Sequence, residues 1–411
     1  MKRICFLLFL SLLSISLFSQ SNDIIIGKVD TIYSEILNEQ RKVWIHIPKG
    51  GDGKTFARKK YPVMYVLDGS GHFYSTVGMI HQLSKVNGNT ISPEMIVVGI
   101  TNTHRTRDLT PSQPQAGDDA MLPEAMRAHS GGGEKFISFI EKELIPYIDS
   151  TYPTEPYKTF MGHSLGGLMV MYTFLNKPEL FNAYVAIDPS MFWHNQKLLN
   201  EIKEANMGEG YENKTLFLGF ANSLPSGMNI ETVRNDTSPM SAHMRAILEL
   251  DEYLNEQKGK FAYQGKYYPD DDHGSVPFIS GYDALRFIFS FHRLDLGPED
   301  FMNPEVDLAG KIKNHYKQVS QSLGYEKKPA EEFINMIGYQ FLQMKSFDRS
   351  ERIFKLNVSY YPDQFNVYDS LGDLYQAKGE KEKAIECFKK AVSLNGEADQ
   401  TKDKIAKLEK E

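Results

Sequence analysis

The chain has 411 residues, 41% of them apolar and 24% charged, a globular balance that excludes a disordered, collagen-like or polytopic membrane chain. A net charge of −7 leaves no basic footprint, so no nucleic-acid partner is expected. Two cysteines, Cys5 and Cys387, exclude a disulfide framework and a cysteine-rich metal centre.

Lys2 and Arg3 open the chain. The run Ile4 to Phe18 is apolar apart from serines and too short to span a bilayer comfortably. Ser19 is small and a polar segment follows it. Residues 1–19 therefore read as a secretory signal peptide. The product is expected to be secreted or periplasmic, with no membrane segment after cleavage.

Three short strands are expected first, over Ile24–Ile26, Ile32–Ile36 and Val43–Ile47. Tyr61–Leu67 and Met95–Ile100 are apolar runs of the kind found in parallel sheets covered on both faces. Thr103–Gly133 is a long polar stretch rich in Pro and Gly, expected to be functional or mobile, with Gly131, Gly132 and Gly133 as a hinge. Phe136, Phe139, Ile140, Leu144 and Tyr147 share one face of a helix over Glu134–Tyr147. The strand Tyr157–Met161 runs into Gly162-His163-Ser164-Leu165-Gly166-Gly167, and a helix follows over Leu168–Leu175. Strands over Tyr184–Ile187, Thr215–Phe220 and Phe261–Tyr268 and a helix over Ala284–Phe291 complete an α/β unit.

Beyond Gly297 strand signals stop. Tyr368, Leu371, Gly372, Tyr375, Gly379, Ala384, Phe388 and Ala391 fall at the positions of a tetratricopeptide repeat. A degenerate copy about 34 residues earlier holds Ile334, Ile337, Gly338, Phe341, Phe354 and Pro362. The expected order is a signal peptide over 1–19, an α/β-hydrolase domain over 20–296, a linker helix over 297–325 and a small all-α tetratricopeptide-like domain over 326–411.

Gly162-His163-Ser164-Leu165-Gly166 is a G-x-S-x-G elbow between a strand and a helix. Such a turn is sharp enough to lift a serine hydroxyl above the sheet, and its neighbours must be small for the backbones to approach. Serine needs a base. In this architecture acid and histidine follow on later loops, and His273 comes directly after the last strand. His243 and His292 lie in helical stretches and are set aside. The acid is sought in the loop after Phe220. Asp236, just before Ser238-Pro239 and a helix start, is favoured over Glu231, and a Ser–His pair without an acid stays open. Asp272 adjoins His273 too closely for a productive bond to its ring. The oxyanion donors expected are the N–H of Leu165 and one from the turn after Leu67, assigned to Ser70.

Lys60–Gly71, Val97–Pro111, Gly131–Tyr147, Gly162–Gly167, Asp188–Trp193 and His273–Pro277 together resemble the esterase family of α/β hydrolases that holds the enterochelin and salmochelin esterases and the relatives of esterase D. The resemblance covers residues 30 to 292. It implies Ser164 as nucleophile and His273 as base. Members of the siderophore branch described without a well-placed acid leave Asp236 open, and the helical tail lies outside the family pattern.

The chain is thus expected to be a secreted serine hydrolase cleaving carboxylic esters through a Ser-His-Asp acyl-enzyme, with siderophore and carbohydrate esters among the small-molecule substrates. No cofactor and no metal are expected. Arg105 and Arg107 are read as contacts for an anionic substrate or as structural residues, and Trp193 as a pocket wall or as core packing. The alternative is an exported adaptor that binds a protein partner through its helical repeats, on a hydrolase-like scaffold of little or no activity.

Overall fold

In a computed structural model the chain is described over residues 23–50, 55–116, 122–205 and 207–410. The expected signal peptide lies outside the described residues. Eight strands form one sheet: β1 (Lys28–Ser34), β2 (Glu39–His46), β3 (Tyr61–Val66), β4 (Ile96–Ile100), β5 (Thr154–His163), β6 (Ala183–Ile187), β7 (Thr215–Ala221) and β8 (Ala262–Tyr268). Their order is β1-β2-β4-β3-β5-β6-β7-β8. The β1–β2 and β2–β4 pairs are antiparallel and the others parallel. This is an α/β-hydrolase sheet. β3, β4 and β6 are buried along their whole length, as apolar runs covered on both faces must be.

Ile24–Ile26 does not form the expected strand. The first ladder pair is Lys28 with Ile45, and β2 ends one residue later at His46, so among the described residues no strand extends alongside Ile24, which is wholly exposed.

Helices cover both faces. The helical run 133–151 and the helices Leu165–Asn176, Trp193–Glu204 and Ala242–Glu256 bury Phe136, Leu168, Leu199 and Ile247 against one. The helices Gly69–Ser84 and Val276–Ile288 bury Phe73, Val77 and Leu285 against the other. The stretch 103–133 is partly helical, at Arg105–Asp108 and Glu124–Ala128. Its three glycines are packed rather than hinge-like. A Cβ on Gly133 would lie 2.8 Å from Met169 and from Thr110 O, and one on Gly132 would lie 2.7 Å from Arg107. Their N–H groups donate to Thr110 O and Arg107 O at 3.0 and 2.9 Å. Glycine stands here because two chain segments come too close for a side chain.

The tail is all helical, with Leu308–Leu323, Glu331–Gln343, Phe347–Tyr360, Phe365–Ala377, Lys381–Leu394 and Asp399–Lys410. Its repeat is visible in packing. The Phe354 ring lies where a Cβ of Gly338 would be, 2.4 Å away, and the Phe388 ring does the same at Gly372. Ser350 and Asn357, which depart from the repeat pattern, are buried: Ser350 Oγ donates to Gly338 O at 2.8 Å and Asn357 Nδ2 to Glu331 O at 3.2 Å, while Asn357 Oδ1 has no partner among the described residues. Val319 and Leu323 enter the core cluster of Ile288 and Phe289. Ala57 N donates to Glu331 at 2.8 Å, Lys59 pairs with Glu332, and Lys327 lies 3.6 Å from Glu155. These contacts lie where β3 and β5 begin.

Candidate active site

β5 ends at His163, and Ser164 turns the chain into the helix Leu165–Asn176 with φ 60° and ψ −120°. A non-glycine residue at positive φ is strained, and the surroundings hold it there. Ser164 N donates to Ile187 O at 3.0 Å, and Ser164 O accepts from Leu168 N at 3.0 Å and Ser190 N at 3.1 Å. A Cβ on Gly162 would lie 2.4 Å from the backbone of Gly166, so the first elbow position admits only glycine. Ser164 is half-buried, and its Oγ lies 3.4 Å from Ser190 Oγ. Leu165 opens the helix, so its N–H has no acceptor within it.

His273 follows β8 in a loop tied to the end of β7 by Asn222, which donates to Asp271 O at 2.8 Å and to Pro269 O at 3.0 Å. Its ring lies 4.4 Å from that of His163, the residue before Ser164, so the structure brings the base candidate to the elbow. Burial, then the neighbouring His273 and His72, push His163 down to about 4, so it stays neutral at neutral pH. Asp272 accepts from Gly274 N and Ser275 N at 2.9 Å and so closes its own turn instead.

The carboxylate on His273 is Asp188, not Asp236. Asp188 follows β6, is fully buried, and meets His273 Nδ1 with Oδ2 at 2.5 Å. Its Oδ1 accepts from Ala221 N at 3.0 Å, and its own N–H donates to Gly219 O at 2.7 Å. Burial works against its charge, but hydrogen bonds from His243, His273 and the Ala221 N–H outweigh it and hold the carboxyl far below the usual carboxylate range. Asp236 serves its own turn. Its Oδ2 accepts from the Ser238 hydroxyl and from Ser241 Oγ at 2.5 Å, closing the entry to the helix Ala242–Glu256. Glu231 is exposed in the first turn of the short helix Ile230–Arg234. The missed residue had a local signal, an aspartate ending an all-apolar strand with Pro189 directly behind it.

Ser70 is exposed in the first turn of the helix Gly69–Ser84, beside the left-handed Asp68. The turn itself reaches the elbow, because a Cβ on Gly166 would lie 3.4 Å from both Leu67 and Asp68. Arg105 grips Asp68 with two bonds, Nε to Oδ1 at 2.7 Å and Nη2 to Oδ2 at 2.9 Å, and Asn102 adds a third at 2.5 Å. Arg107 points into a different network, to Glu39 at 2.7 Å and Asp108 at 2.7 Å, beside the fully buried Arg41–Asp108 pair. Glu39 is held down to about 2, chiefly by the hydrogen bond from Arg107. Trp193 is buried, and its indole N–H donates to Ser112 O at 3.0 Å, so it is core and not pocket wall.

Residues 34–214 match the family model described as "Putative esterase", residues 154–297 one described as "Prolyl oligopeptidase family", and residues 365–397 a tetratricopeptide repeat. The siderophore enterobactin esterase of Emericella nidulans is 25% identical over 249 residues, 54% of this chain and 81% of that one. The ferri-bacillibactin esterase BesA of Bacillus subtilis is 32% identical over 177 residues, 40% of this chain and 59% of that one. Among solved structures, an IroE-like serine hydrolase from Shewanella oneidensis is 26% identical with a TM-score of 0.65, covering 81% of this chain and 99% of that one. The α/β part thus resembles the esterase family anticipated from the sequence, and the tail carries a repeat compatible with protein interaction.

Proposed function

We propose that this chain, a serine hydrolase of the esterase type on an α/β-hydrolase fold, cleaves siderophore esters after export, with Ser164, His273 and Asp188 as its catalytic set. The observation that carries the reading is the 2.5 Å contact of His273 with the buried Asp188, in a loop whose histidine packs beside the elbow. His273 keeps its Nδ1–H on Asp188, which leaves Nε2 to take the Ser164 proton as Oγ attacks the ester carbonyl. The carbonyl oxygen gains charge and is held by the Leu165 N–H and by a donor from the turn Asp68–Ser70. The tetrahedral adduct expels the alcohol, which takes the proton back from His273. Water then attacks the acyl-serine through the same base and releases the acid.

The substrate class rests on the relatives, among them two named as siderophore esterases and one as a ferri-bacillibactin esterase. Arg105 is our candidate contact for an anionic acyl or catechol group, supported by its position beside the elbow, where it is about two-fifths exposed and bonded to Asp68. Export rests on the sequence of residues 1–19. Ser164→Ala should lower kcat on a p-nitrophenyl ester by about 10⁴-fold or more. A panel of ferric catecholate siderophores and simple esters tests the class. Unchanged turnover in Ser164→Ala removes the mechanism, and turnover of simple esters alone removes the substrate class.

A further inference from the structure

Asp188 holds a second imidazole. His243, in the first turn of the helix Ala242–Glu256, approaches Asp188 Oδ2 with Nε2 at 3.1 Å, the same oxygen that His273 uses. Its ring stands edge-on to His273 with centroids 5.6 Å apart, and edge-on to Phe192 at 5.6 Å. Its Nδ1 is buried with no hydrogen-bond partner among the described residues. A bare buried nitrogen is destabilising. A leucine or phenylalanine would fill this place without that cost. What histidine adds is an N–H directed at Asp188.

We propose that His243 is a positioning residue that locks Asp188 and, through it, the plane and tautomer of His273. The inference rests on the catalytic set proposed above. Oδ2 offers two lone pairs, taken by His243 and His273, and Oδ1 accepts from the Ala221 N–H. With three donors in place the carboxylate cannot turn about its own bond. His273 then meets an acceptor in one orientation only, with Nε2 directed away from Asp188. Without His243 one lone pair opens, the carboxylate gains a torsional freedom, and His273 spends less time aligned.

The test compares His243→Leu, which keeps bulk, with His243→Gln, whose side-chain NH₂ restores a donor at the reach of Nε2. His243→Leu should lower kcat on a p-nitrophenyl ester by about 10- to 100-fold while KM moves less than about twofold, because alignment and not binding is lost. The rate of fluorophosphonate labelling should fall in the same ratio, and His243→Gln should recover most of both. The low-field proton resonance of the His273–Asp188 bond should be sharp in wild type and His243→Gln and broadened in His243→Leu. The proposal is overturned if His243→Leu keeps wild-type kcat. It is equally overturned if His243→Gln is as slow as His243→Leu, or if the loss follows melting temperature in both. Full activity in Ser164→Ala would instead remove the catalytic set itself. An inert Ser164→Ala beside a fully active His243→Leu overturns only the role of His243.

Discussion

Asp188 and Asp236 are both hydrogen-bonded carboxylates near a loop, and what donates to them separates their work. Asp188 receives two imidazoles and a backbone N–H in a fully buried place, whereas Asp236 receives the hydroxyls of its own turn. Asp188→Asn should therefore cut kcat by about 10³- to 10⁴-fold, since an amide can present the wrong group to His273. Asp236→Asn should leave kcat within about threefold and lower the melting temperature, as the loss of a helix-entry bond does. The two variants, assayed together by turnover and thermal melting, distinguish the residues. The sign of the pH effect follows from the depressed Asp188 value. Its contribution to stability is complete above the ordinary carboxyl range and is lost as pH falls below about 4 toward the folded value.

The elbow was legible in the sequence because every constraint on it is local. Gly162 must lack a Cβ, Ser164 must bend, and the helix must begin at Leu165, all within a few positions. The acid was not legible in the same way. Its pairing joins the end of β6 to the loop after β8, and a contact across two sheet neighbours leaves no spacing to read. The long loop shows the same division. Its arginines stood two positions apart with equal claims, and folding sends one to Asp68 and the other to Glu39 and Asp108. Arg105→Ala should raise KM for a carboxylate-bearing ester more than for a neutral one and also lower the melting temperature, since two bonds to Asp68 go with it. Arg107→Ala should lower the melting temperature through its lost bonds to Glu39 and Asp108 and leave KM unchanged. Kinetics on the two esters and a melting curve for each variant check both halves.

Across the whole molecule the helical tail and the elbow occupy opposite ends of the sheet. The tail meets the chain at Ala57, Lys59 and Glu155, where β3 and β5 start, while Ser164 follows the last residue of β5. Strand geometry puts Glu155 and His163 about 26 Å apart. Val319→Asp places a charge in the cluster shared with Ile288 and Phe289, and should cost about 3 kcal/mol of stability. Turnover of a small ester below the melting transition should stay within about twofold of wild type, since nothing at the elbow is touched. A large fall in kcat in the folded variant would show that the tail shapes the pocket.

That separation has a mechanical reading. A partner gripping the repeats would hold the protein from behind Ser164 rather than across it. Such a partner would not share space with a substrate at the elbow. Anchoring and turnover can then be adjusted independently, the one by changes in the repeats and the other by changes in the loops above the strand ends.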